Sequence, residues 1–273
     1  MSKSHRVLPG FALSLGYTIT ILTAMLVLPC VALSIKAAAL SPAQFLAAVW
    51  SERARSTYAL SFGASAIAAL LNVAIGMLIA WVLVRYDFWG RRFLDALIDL
   101  PFALPTAVAG LVFSALLVRN GWYGQFLIPW GIQGAYSRLG IVIVLVFVGL
   151  PFVVRTVQPV LESLEGDTEE AAAMLGANRW QTLGRVLMPA VRPSLMTGFA
   201  LSFARGIGEY GSVVFISGNM PFKTEIAPVL IVARLEEFSY AEANAIAVVL
   251  ILLSLTSLAV VNWLERRSRR CAS

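Results

Sequence analysis

Charge is scarce in this chain. Of its 273 residues only 13% are Asp, Glu, Lys or Arg, against roughly 25% in an average soluble domain, and that excludes an ordinary water-soluble globule. Histidine occurs once, as His5, and cysteine twice, as Cys30 and Cys271. So small a set has no metal-ligand spacing and no Cys–His pair, and no nucleophile-elbow pattern occurs either, which leaves no catalytic residue and no metal site to assign. Cys30 falls inside an apolar run and Cys271 in a basic tail, so no disulfide is expected. Tandem repeats and low-complexity linkers are missing too, and a single domain over 1–273 suffices.

What is abundant is apolar surface, at 59% of residues. A helix crossing the hydrocarbon core needs about 20 consecutive apolar residues. Runs 11–35, 58–84, 100–118 and 243–264 carry no charge, 139–161 is broken only by Arg155, and 193–217 only by Arg205 and Glu209. The pattern predicts an all-α membrane protein of six transmembrane helices, with a loop at 162–192. The first run is preceded by Lys3 and Arg6, like a secretory signal, but it is longer than the 7–15 residues of a signal h-region and is read as an uncleaved span.

The net charge of +6 carries no implication of nucleic acid, because in a membrane protein placement outweighs the sum. With the N-terminus inside, one face holds Lys3, Arg6, Arg85, Arg91, Arg92, Arg155, Arg179, Arg185, Arg192, Arg266, Arg267, Arg269 and Arg270. The other holds Lys36, Arg53, Arg55, Arg119, Arg138, Lys223 and Arg234. This bias of nearly two to one predicts both termini on the cytoplasmic side. The external loop 120–138 contains Trp122, Tyr123, Phe126, Trp130 and Tyr136, which suits either an interfacial aromatic belt or the docking of an external partner.

The cytoplasmic stretch 162–192 has helix grammar. Asp167 or Thr168 can cap a first helix, Glu169 and Glu170 suit the positive end of its dipole, and 171–175 propagate it. Gly176 ends it, Asn178 caps a second helix, and Trp180, Leu183 and Leu187 follow at helical spacing up to Pro189. Two short helices meeting at a glycine corner, one with a narrow alanine face, form a surface that another protein can approach closely.

Glu170-Ala171-Ala172, then Gly176 after three residues, then Val186-Leu187-Met188-Pro189 after nine more, resembles the EAA loop of ABC importer permeases. The chain is further similar, over nearly its whole length, to the T-type permease subunits of bacterial sulfate/thiosulfate importers. That likeness rests on 85–91, 95–111, 151–162, Val7-Leu8-Pro9-Gly10-Phe11, Gly218-Asn219 and Lys223-Thr224-Glu225. The resemblance implies a type I ABC importer permease fold with a cytoplasmic coupling helix, in the bacterial inner membrane. It assigns ATPase coupling to Glu169, Glu170, Ala171, Ala172, Gly176, Ala177, Trp180 and Pro189. It also implies four kinds of partner: a paralogous W-type permease, two cytoplasmic ATPase subunits, a periplasmic sulfate-binding protein and the bilayer. ATP and Mg would sit on the ATPase, with no cofactor on this chain. The stretch 218–224 mimics a P-loop only superficially, since Phe222 stands where the second glycine is needed. Other oxyanions, molybdate or tungstate, would suit the same architecture. An ATP-independent secondary transporter would show inverted halves, which the sequence lacks.

A dianion in a bilayer needs compensating charge that does not trap it. A charge pair at about 4 Å is worth roughly 4 kcal/mol at an effective dielectric near 20, so two unpaired arginines would hold a dianion too well. Arg205 and Glu209, four apart, suit a tempered patch lining the pathway, or a buried pair fixing helix packing. Pro101 and Pro105 predict a kink in the third span, and with Thr106 they join Arg205 and Glu209 as translocation residues. Arg155, Asp95 and Asp99 are read as snorkelling or paired at the cytoplasmic interface.

Overall fold

The structure, a computed structural model, describes residues 11–164 and 167–270. Lys3, His5, Arg6, the Val7-Leu8-Pro9-Gly10 motif and Cys271 lie outside the described residues. The chain begins with α1 (Phe11–Leu22), a π-helical turn at Thr23–Val27 and α2 (Leu28–Ala37). The short α3 (Pro42–Val49) is held by a capping box between Ser41 and Gln44. The long α4 (Glu52–Arg85) starts where Ser51 accepts from Ala54 N and ends at the extended Tyr86. At 1.5 Å per residue its 34 residues reach about 50 Å, well past a hydrocarbon core of about 30 Å.

Next come α5 (Arg91–Ile98), α6 (Leu100–Ala103), α7 (Thr106–Leu117) and α8 (Gly124–Leu127). The second long helix, α9 (Arg138–Ser163), runs on through Pro151 and Pro159. It is followed by α10 (Asp167–Met174), α11 (Arg179–Thr182), a π-helical turn at Leu183–Leu187 and α12 (Met188–Ile207). The chain closes with α13 (Val213–Ile216), α14 (Ala227–Glu236) and α15 (Tyr240–Arg270).

Among the described residues five helical stretches are long and apolar enough to cross a membrane: Leu13–Ala37, Glu52–Arg85, Arg138–Ser163, Arg179–Ile207 and Tyr240–Trp263. Two expected spans are built differently. The run 100–118 is not one helix: Leu104 is extended (φ −86°, ψ 127°), as a residue preceding proline tends to be, and Pro105 caps a fresh start at α7. The 12 residues of α7 cover only about 18 Å, so this crossing is assembled from pieces. The run 193–217 ends as a helix at Ile207, and a turn over 208–212 leads into α13.

The core is a three-helix contact of α4, α9 and α12 made close by small residues, the usual device where lipid removes the hydrophobic drive between helices. Gly76 of α4 faces Val153, and Gly198 of α12 faces Val153 and Thr156. At mid-height Asn72 Nδ2 donates to Ser202 Oγ at 3.0 Å, and a Cβ on Gly149 would sit 2.3 Å from that hydroxyl. Around one end, Met77, Leu83, Val154, Val157, Leu161, Leu187 and Val191 form a dry cluster. α1 and α2 stand apart from the core; α2 packs chiefly on α15, and among their described side chains only Ala37 is buried.

Candidate coupling surface and translocation site

The segment leaving α9 is tied back to the bundle by Arg85, whose Nη2 donates to the Leu164 carbonyl at 3.0 Å. α10 closes with Gly176 in the left-handed region (φ 82°), and Ala177 N donates to Ala172 O at 3.0 Å, the six-to-one bond of a Schellman cap. Asn178 then starts α11 with a capping box: its Oδ1 accepts from Gln181 N and its N donates to Gln181 Oε1, both at 2.9 Å. Pro189 cannot donate to a carbonyl one turn back. The helix accommodates it by widening to a π turn at Leu183–Leu187, where Met188 N reaches Leu183 O. Leu187 and Val191 are fully buried in the bundle and fix the far side of the corner.

The expected corner of two helices is therefore present. Glu170, Ala171, Gly176 and Pro189 are exposed on it, and Ala172 and Ala177 half-buried. Glu169 lies in α10, and its side chain, like those of Asp167 and Thr168, is outside those described. Trp180 is 81% exposed, and it is joined by two residues the sequence reading passed over, Met174 at 90% and Leu175 at 89%. Three large apolar side chains standing clear of a narrow alanine helix form an open contact surface. Their signal in the sequence was an apolar pair directly before a terminating glycine, which ordinary helix patterning assigns to the interior.

The translocation candidates sit elsewhere. Arg205 occupies the last turn of α12, but Glu209 follows the cap residue Gly208 and lies in the turn beyond the helix, which corrects their placement together on one helical face of a span. They are nonetheless paired, Arg205 Nη1 to Glu209 Oε2 at 2.5 Å. The other carboxylate oxygen accepts from Ser212 N at 3.0 Å and Ser212 Oγ at 2.9 Å. Glu209 is sealed, with 2% of its side chain exposed, while Arg205 keeps 37%. The turn carrying Glu209 lies on the start of α7: a Cβ on Gly211 would stand 2.3 Å from Thr106 Oγ1, and one on Gly110 would strike the Ser212 carbonyl. The fold thus gathers Pro105, Thr106 and Glu209 at one place. Pro101 lies apart, in the first turn of α6.

Arg155 is not a free cation. Its Nε and Nη2 grip Asp99 at 2.9 and 2.7 Å, and its Nη1 reaches Asp95 Oδ1 at 2.7 Å and Gln158 Oε1 at 2.8 Å. Its Nη2 also donates to the Asp95 carbonyl at 2.9 Å. All its donors are engaged in clasping the α5–α6 segment to α9, so of the two expectations pairing is the one realised.

Residues 72–270, from the middle of α4 to the end of α15, match the family described as the binding-protein-dependent transport system inner membrane component. The chain belongs to that family. Its permease relatives include the probable sulfate transport system permease protein cysT of Nephroselmis olivacea, 48% identical over 98% of this chain and 93% of that one. The sulfate transport system permease protein CysT of Escherichia coli K12 is 46% identical over 98% and 97%. A CysT from Synechocystis is 48% identical over 96% and 92%. The permease fold is that of a bacterial ABC transporter importing the acidic polysaccharide alginate, with a TM-score of 0.77 at 16% identity over 94% of each chain. A second structure, of a bacterial alginate ABC transporter in complex with an alginate pentasaccharide-bound periplasmic protein, gives 0.75 at 19% identity over 94% and 93%. This is a type I ABC importer permease, a multi-pass transport component of the membrane.

Proposed function

We propose that the chain is the T-type permease subunit of an importer that takes sulfate or thiosulfate from a periplasmic binding protein and moves it across the inner membrane. The observation that carries the cargo is identity of 46–48%, over nearly the whole chain, to relatives named as sulfate transport permeases. The chain acts as a single transmembrane domain over 1–273 with both termini cytoplasmic. It pairs with a paralogous W-type permease and two ATPase subunits that hold ATP and Mg, and it hydrolyses nothing itself.

Energy enters at the corner of α10 and α11. Glu169, Glu170, Ala171, Ala172, Gly176, Ala177, Trp180 and Pro189, joined by Met174 and Leu175, present the surface that an ATPase grips. Closure on nucleotide displaces that corner, and Leu187 and Val191 pass the displacement into α12. The far end of α12 carries Arg205, so the helix that is pushed bears the anion contact at its other end. Arg205, tempered by Glu209, offers its exposed side to the passing dianion beside Pro105 and Thr106, and the Pro101–Pro105 break lets α7 shift independently of α6. The test is ATP-driven, binding-protein-dependent uptake of labelled sulfate into vesicles. Thiosulfate is expected to compete and molybdate not to; uptake blocked equally by molybdate, or uptake without the ATPase, overturns the reading.

A further inference from the structure

At the end of the bundle away from α10, the first turns of α4 and α9 meet the loop following α13. Arg53 holds the buried Glu225 through two bonds, Nε to Oε2 at 2.8 Å and Nη2 to Oε1 at 2.6 Å, which leaves that part-buried pair without net charge. Arg138, the first residue of α9, uses only its Nε, donating to the Lys223 carbonyl at 2.9 Å. Among the described residues the outer nitrogens of Arg138 and the Lys223 ammonium have no hydrogen bond or ion pair. The loop bearing Lys223 is fixed: Lys223, Thr224 and Glu225 all donate their backbone N–H to Met220 O, and Met220 N returns a bond to Thr224 Oγ1. Three of the seven cations expected on this membrane face are thus collected at one spot, two of them unspent.

Below these cations lies a furrow of about 370 Å³ between α4 and α9, floored by Ala59, Gly63, Ile67 and Val142. Between Ser56 at its mouth and Ile67 it descends α4 for about 16 Å, close to one leaflet of hydrocarbon. Nothing stands within 4 Å of where a Gly63 side chain would be, and Ile67 is 53% exposed. The furrow then opens onto the outward apolar stripe of α4 at Leu70, Leu71 and Leu78.

Two unpaired cations above an apolar furrow running to membrane depth have the pattern of a headgroup phosphate with its acyl chain. A small oxyanion would find donors at the rim and none along the floor. We propose that this is a binding site for one anionic phospholipid in the leaflet away from the coupling surface, its phosphate between Arg138 and Lys223 and one chain lying over Gly63 and Ile67. Each cation is expected to contribute about 1 kcal/mol, or roughly fivefold in affinity.

The test uses the assembled complex, delipidated and titrated with phosphatidylglycerol or phosphatidylcholine of the same chains, with bound lipid counted by native mass spectrometry. Phosphatidylglycerol is expected to bind more tightly. Lys223→Gln, on an exposed loop position, should lower that preference roughly fivefold at unchanged yield of complex. Gly63→Leu, which fills the furrow, should exclude both lipids. Equal binding of the two lipids, or no effect of Lys223→Gln, overturns the site. So does cross-linking of the Gly63→Cys variant to another subunit, which makes the furrow a protein contact. Displacement of the lipid by inorganic sulfate, with Gly63→Leu without effect, would make it a small-anion site instead and equally sink the proposal.

Discussion

Glu209 spends one carboxylate on three donors, and only one of them is Arg205. Truncation at the two positions should therefore differ. Glu209→Ala removes the acceptor that shapes the 208–212 turn and strands the guanidinium, and breaking a buried pair from one side costs about 3–5 kcal/mol. Arg205 keeps 37% of its side chain in contact with solvent, so the loss should fall below that range while still lowering the amount of assembled complex. Arg205→Gln leaves the Ser212 bonds in place. Assembly should survive and initial sulfate uptake should fall by about tenfold or more, the scale of one lost charge-assisted contact. Complex abundance and uptake rate are measured together. If both single changes lose assembly and a double change restores it, Arg205 is a packing residue. The i,i+4 spacing makes this pair legible in the sequence, and three glycines in the stretch 206–211 are the signal that the helix stops short of Glu209.

The corner between α10 and α11 was the most readable element, because capping is short-range chemistry. Gly176 needs φ of 82° only because of its immediate neighbours, and the Asn178–Gln181 box spans four residues. A valine at 176 has no comfortable way to adopt that angle, at a cost of about 1–2 kcal/mol. Gly176→Val should leave insertion intact and reduce co-purification of the ATPase or ATP-coupled uptake several-fold; normal coupling would detach this corner from energy transfer. The exposure of Met174 and Leu175 was not readable, since what a side chain is left uncovered by is settled by distant elements. The break at 104–105 was half-read: two prolines four apart announced a kink, but whether a helix bends or stops depends on whether Leu104 can become extended. It does, with α7 seated against the 208–212 turn.

For the whole molecule, hydropathy predicts six crossings, five of which are single long apolar helices among the described residues, and Lys and Arg placement predicts their orientation. Reporter fusions after Arg92 and after Arg270 should read cytoplasmic and one near Gly131 periplasmic; the reverse would invert the permease and move the α10 corner out of reach of ATP. Cargo could not be read from any spacing: the residues proposed to meet it, Arg205, Glu209 and Thr106, belong to α12, the turn beyond it and α7. The first crossing has a different consequence. Leu13–Ala37 buries almost nothing against its own chain. A newly made copy therefore carries a long greasy segment with no internal home, and its lifetime becomes a matter of supply. Made without its fellow subunits, the chain should be cleared by membrane proteases several-fold faster than when co-expressed, as a pulse–chase would record. Deletion of residues 1–37 should narrow that difference, so that this segment acts as a timer on unassembled protein.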